Sequence, residues 1–179
     1  MRSLSKPFVS LVIMLVVAGT IVNIHKKRTE LKTPSEAKFA RSLPDDSRSV
    51  LENCDKLTLY SLKPAYNFNT DGSAFQGGFH DYPVLGKTEI PADRRNEVLA
   101  QLYNGMANSS GQMAGCFNPH HALRAVKGKR YVDIVICFGC MQMQIYTEKH
   151  KDYDLDGISS APRLAFDRIL KDGKVKLSE

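Results

Sequence analysis

The chain has 179 residues, enough for one domain with a modest core and too few for two. It contains 25 Lys and Arg against 19 Asp and Glu, a formal charge of +6, but the excess is not spread evenly. Residues 1–32 hold six of the bases (Arg2, Lys6, Lys26, Lys27, Arg28, Lys32) and one acid, Glu30, which leaves 19 bases and 18 acids for the remainder. A nucleic-acid partner would need a basic face on the folded domain, and this division removes it.

From Pro7 to Ile24 no residue is charged, and most are Val, Leu, Ile, Phe, Met or Ala. Phe8 to Ile24 makes about 25 Å of helix, close to the thickness of a bilayer's hydrocarbon core. Cations bracket the run: Arg2 and Lys6 before it, His25 to Arg28 after it. Residues 1–28 are therefore read as a signal anchor, with 7–24 as the membrane contact. The small residues Val17-Ala18-Gly19 allow cleavage as a signal peptide. Apolar Ile21 and Val22 and the basic cluster beyond them favour retention. With bases on both flanks, charge does not settle the orientation, and an extracytoplasmic, single-pass domain is the default expectation. The flanking bases suit anionic lipid headgroups.

Residues 29–47 are polar, contain Pro34 and Pro44, and read as a tether. Residues 48–179 read as the globular domain. Leu57-Thr-Leu-Tyr-Ser-Leu62 alternates and predicts a half-buried strand. Asn67 to Gly78 predicts a loop, and Tyr82, Val84 and Leu85 a second strand within Phe79–Ile90. Pro91 suits a helix's first turn. Beyond it Val98, Leu99, Leu102, Tyr103 and Met106 form a stripe at helical spacing that ends near Gly105–Gly111. Lys127-Gly128-Lys129-Arg130 joins His121–Val126 and Tyr131–Ile136 as a hairpin. Val132-Asp-Ile-Val-Ile136 predicts a central strand, and Met141-Gln-Met-Gln-Ile-Tyr146 a strand beside it. A last helix begins near Ser160 and Pro162, carries Leu164, Phe166, Ile169 and Leu170, and stops at Gly173. The sum is a two-layer α+β domain: a mostly antiparallel sheet of about five strands with two helices, preceded by the N-terminal transmembrane or signal helix.

Three of the four cysteines are grouped with histidines. Cys116-Phe-Asn-Pro-His120-His121 precedes the hairpin and Cys137-Phe-Gly-Cys140 ends it, so the fold returns one segment to the other. Three thiols and one imidazole are a tetrahedral zinc set in type. Residues three apart on a straight strand face opposite ways, so Cys137 and Cys140 meet only if the chain bends at Phe138-Gly139, where glycine makes a bulge cheap. The spacing lacks the second C-x-x-C of a zinc ribbon. Buried hydrophobic cysteines and, in an exported domain, a disulfide that joins Cys116 to Cys137 or Cys140 first remain alternatives. A Cys116–His pair would in principle be a thiolate catalyst. Met141 stands where covalent haem attachment needs histidine. Asp152-Tyr-Asp154-Leu-Asp156-Gly157 resembles half of a calcium loop, but Arg163 stands where the bidentate Glu belongs. His80 and Asp81 are read as ordinary loop residues.

Leu57-Tyr60-Ser61-Leu62, Tyr82-Pro-Val-Leu-Gly86, Cys116-Phe-x-Pro-x-His121 and Val132-Asp-x-x-Ile136-Cys-Phe-x-Cys140 together resemble a group of small uncharacterised bacterial proteins. Their pattern is C-F-x-P-R-H followed by V-I-C-F-E-C, with His120 and Gly139 here replacing Arg and Glu. The resemblance implies a fold unit over roughly Leu57–Leu170 and a candidate site of Cys116, His121, Cys137 and Cys140, with His121 preferred over His120. It implies no activity. On sequence, the chain is a membrane-tethered domain whose Cys/His cluster is structural, through zinc or a disulfide. The alternative is a thiol-dependent oxidoreductase or metal-dependent enzyme using the same cluster.

Overall fold

A computed structural model describes residues 43–64, 77–112, 114–149, 153–155 and 157–178. The apolar run, most of the tether and most of the Asn67–Gly78 loop lie outside these residues, as do Asp152 and Asp156 of the calcium-like loop. Among the described residues, no helix is long and apolar enough to cross a membrane.

The domain is α+β, as expected. In chain order it comprises α1 (Asp45–Glu52), β1 (Lys56–Leu62), β2 (Val84–Ile90), a 3-10 turn (Ala92–Arg94), α2 (Arg95–Ala107), β3 (His121–Lys127), β4 (Arg130–Cys137), β5 (Gln142–Thr147), the short β6 (Tyr153–Leu155) and α3 (Arg163–Asp172). The sheet order is β2-β1-β3-β4-β5-β6, and every pairing is antiparallel. From β3 onward neighbours in sequence are neighbours in the sheet. The exception is α2, which carries the chain from edge strand β2 over to β3, on the far side of β1.

Strand periodicity decides which side chains meet the helices. Leu57 and Leu59 of β1 share a face with Leu123 and Ala125 of β3, Val132, Ile134 and Ile136 of β4, and Met143 and Ile145 of β5. Val50 and Leu51 of α1, Val98 and Leu102 of α2, and Phe166 and Leu170 of α3 close over that face. The opposite face holds a smaller core of Tyr60, Leu62, Phe79, Ala122 and Val135. This second cover makes β1 buried on both sides, where its alternation predicts a half-buried strand.

One further helix appears beyond the two expected. α1 starts at Asp45, within the segment read as tether. Leu43, Ser47, Val50 and Leu51 are all buried and recur at helical spacing. Pro44 interrupts that stripe and Ser47 takes an apolar position, so the sequence reads as polar. Asp45 and Asp46 in the first turn suit the positive end of the helix.

The end of α2 is packed against the approach to α3. A side-chain carbon added at Gly105 would fall 2.4 Å from Pro162 Cγ and 2.9 Å from Ile158 Cγ1. Ser159 N also donates to Gly105 O at 2.8 Å. Glycine to alanine within a helix usually gains about 1 kcal/mol. Here the rigid proline ring reverses the sign: Gly105→Ala is expected to cost about 1–2 kcal/mol net, since overpacking costs about 1–3 kcal/mol. Urea unfolding measures this, and a raised midpoint would disprove the close packing.

Candidate functional site

β4 ends at Cys137, and the next residues turn back into β5. The disulfide joins Cys137 to Cys140, with Cα atoms 5.2 Å apart, and leaves free the Cys116 that the expected pairing included. The expected bend is present, but its left-handed residue is Met141, with φ +56°, and not Gly139. Met141 N bonds Phe138 O at 3.4 Å and Met141 O accepts from Ile158 N at 3.1 Å, which holds that conformation. A side-chain carbon at Gly139 would meet nothing within 4 Å, so neither space nor φ requires glycine there.

The segment preceding β3 is tied to this turn by three hydrogen bonds. Ala114 N donates to Cys140 O at 3.1 Å, Gln142 Nε2 to Ala114 O at 2.6 Å, and Asn118 N to Cys140 Sγ at 3.3 Å. They place the exposed Cys116 thiol 4.0 Å from Cys140 Sγ. Cys137 and Cys140 are only 1% and 2% exposed. Cys140 N donates to Cys137 Sγ at 3.0 Å, so each disulfide sulfur faces one backbone N–H.

His121, the fourth residue of the predicted set, is elsewhere. It pairs with Ile136 across the sheet, so its side chain shares the helix-covered face with Ile136 while Cys137 takes the other. Its ring lies against Phe138 and Phe166, and Nε2 bonds Asp167 Oδ1 of α3 at 2.8 Å. Among the described residues, no group of three or more His, Cys, Asp or Glu is arranged to hold a metal ion. Burial pulls the His121 pKa below its ordinary value, with Asp167 acting the other way. His120 is lowered too, by burial and then by Arg163. Ser61 pairs with His121 from β1, and Ser61 Oγ and His121 Nδ1 are both buried without a hydrogen-bond partner among the described residues. Ser, His and Asp form a nucleophile set in type, but Ser61 is 0% exposed and offers no approach to a substrate.

Sequence reasoning missed a third unit, centred on Asp133. This carboxylate is 0% exposed in the middle of β4. Arg124, directly opposite on β3, donates to it from Nε at 2.6 Å and also from Nη2. His80 Nε2 lies 2.7 Å from Asp133 Oδ2, and only the imidazole can donate there. The His80 ring stacks on Tyr146 at 3.7 Å, itself opposite Asp133 on β5. The Arg124 guanidinium lies over Phe79 at 5.0 Å and Tyr131 at 5.4 Å. His80 reaches this position from an unusual backbone. Phe79 and Tyr82 exchange both hydrogen bonds around a two-residue turn, in which His80 and Asp81 have φ +51° and +65°. That left-handed pair normally favours Asn-Gly, so the turn gives up conformational ease to hold the imidazole over Asp133. The available signal was an acid inside an apolar strand, since a buried carboxylate needs a partner.

Two outcomes follow from these groups. Asp133→Asn leaves the Arg124 guanidinium without its counter-charge. Removing one partner of a buried pair costs about 3–5 kcal/mol, and Arg124, partly open to water, lowers the expected loss to about 2–3 kcal/mol by chemical denaturation. A loss under about 1 kcal/mol would show that the network carries little of the fold. For His121, the lowered folded-state pKa means the unfolded chain binds the proton more readily. Its contribution is complete above pH 6.5 and is lost as pH falls below that value. Urea midpoints from pH 8 to pH 5 should therefore fall less in His121→Gln than in the wild type, with His120 supplying part of the remaining slope. An unchanged pH dependence would sink that assignment. No family model, curated protein or solved structure matches this chain, so the geometry of these groups carries the functional reading.

Proposed function

We propose that this chain is a membrane-tethered domain that works on the oxidising side of its membrane, with the Cys137–Cys140 disulfide as the working state of its cysteine cluster. The observation that supports this is the buried pair itself: two cysteines at 1% and 2% exposure, bonded at the turn that ends the central strand. Disulfides persist outside reducing compartments, and this favours the extracytoplasmic orientation that the flanking charges leave open. The anchor in this reading is the apolar run 7–24, with the bases beside it on anionic headgroups. At rest the disulfide clasps the β4–β5 turn. A loop of four residues limits its contribution to about 2 kcal/mol.

Zinc is the second reading, favoured by the approach of Cys116 to within 4.0 Å of Cys140. It would use Cys116, Cys137 and Cys140 as thiolates, with the fourth position filled by a group other than the inward-packed His121.

The complete chain, purified in detergent without reductant, unfolded and alkylated, should take up two labels, on Cys54 and Cys116. Four labels should appear only after reduction, because the chain has four cysteines. Four labels without reductant, or one tightly held zinc per chain, would overturn the disulfide reading.

A further inference from the structure

We propose that Cys116, Cys137 and Cys140 form a thiol–disulfide exchange site, with Cys116 as its entry point and a dithiol presented from solvent as its substrate. This rests on the disulfide reading above and goes beyond it, from a clasp to an activity.

The two bonded sulfurs are almost completely buried, so a thiol arriving from solvent has poor access to either. Cys116 is exposed and free, and its sulfur lies 4.0 Å from Cys140 Sγ. Cys140 carries no proton, so the close contact sets a thiol beside a disulfide sulfur, the pairing that exchange requires. The site also provides for the leaving group. Attack on Cys140 expels Cys137 as a thiolate, and Cys140 N–H already points at Cys137 Sγ from 3.0 Å. When Cys140 leaves in turn, Asn118 N–H lies 3.3 Å from its sulfur. Preplaced donors of this kind favour the developing charge without rearrangement.

The sequence of steps balances within the cluster and its substrate. Cys116 loses its proton to solvent, and its thiolate attacks Cys140 Sγ. The Cys116–Cys140 bond forms, the Cys137–Cys140 bond breaks, and the Cys137 thiolate is reprotonated. The disulfide now has one exposed sulfur. A substrate thiolate attacks Cys116 Sγ, forming a mixed disulfide and releasing Cys140. The second substrate thiolate attacks the substrate sulfur of that bond and releases Cys116. One substrate disulfide forms, and the domain ends with three thiols: two electrons pass from the dithiol to the original Cys137–Cys140 bond, with no other oxidant.

The test follows reduction of the unreduced complete chain by dithiothreitol, as the probe dithiol, with acid quenching, alkylation and mass analysis. Cys116→Ser is expected to slow reduction at least tenfold, while Cys54→Ser, which alters the other free thiol, keeps the wild-type rate. Reduction of Cys116→Ser at the wild-type rate would overturn the proposal. In Cys137→Ser, oxidation with glutathione disulfide should give a Cys116–Cys140 bond by peptide mapping. Cys116 and Cys140 persisting there as free thiols in the folded protein would overturn it as well. The two readings fail differently: four free thiols before any reductant sink the disulfide itself, whereas two free thiols with an unaltered Cys116→Ser rate sink only the exchange.

Discussion

From Val132 onward, strand β4 has water on neither face. Residues Val132 to Cys137 are all buried, with Val132, Ile134 and Ile136 under the helices and Val135 in the smaller core opposite. A strand in that position can carry a polar or reactive group only where the protein itself supplies the partner, because an unpaired buried charge is far costlier than an exposed one. Two groups on β4 meet this demand, Asp133 and Cys137. Both alternate with the apolar face toward the same side of the sheet. Much of the structure on that side is arranged to satisfy them.

For Asp133 the partners come from both neighbouring strands and from a turn. The antiparallel register sets Arg124 and Tyr146 directly across from it. A side chain two residues along either strand would be a full repeat away. His80 then arrives through a turn whose two central residues both hold left-handed φ. The aromatic residues around it have a second role, since Phe79 and Tyr131 flank the guanidinium while Tyr146 supports the imidazole. For Cys137 the partner is three residues away, and the bend that brings Cys140 back also starts β5. The Ala114–Asn118 segment is bonded to that same bend, so the placement of Cys116 depends on the disulfide turn it would react with.

The local periodicities were legible in the residues. Alternation located β1 and β5, the apolar run Val132–Ile136 located β4, the stripe from Val98 to Met106 located α2, and the Gly128 turn placed β3 against β4. Proximity of Cys116 to the C-x-x-C also followed, because a hairpin returns the chain to its start. What did not follow was anything set by which face a residue takes in the assembled sheet. Spacing makes His121 a natural companion of the cysteines, but its register with Ile136 turns it inward onto Asp167. Asp133 was hidden inside an apolar run, and His80 on a loop, 53 positions apart with no shared motif. α1 was missed because a serine and a proline broke its stripe. Single-residue identity carries little about long-range pairing, and these features all depend on it.

The short disulfide raises a physical question that its neighbour answers. A bond between residues three apart constrains the unfolded chain weakly, by about 2 kcal/mol on a loop-entropy estimate, whereas one between Cys116 and Cys140 would contribute about 3.5 kcal/mol. Clasp strength alone would therefore favour the longer pairing, provided it closed without strain. The structure instead holds the weaker bond buried and leaves the third sulfur exposed beside it. The two arrangements differ by one exchange, and what separates them is access: a solvent thiol meets no sulfur of the first disulfide and one sulfur of the second. In the exchange proposed above, a cluster with that asymmetry stays closed to casual reductants at rest and becomes reactive through its own thiol. The three cysteines then form one chemical unit, with the bend at the end of β4 setting its geometry.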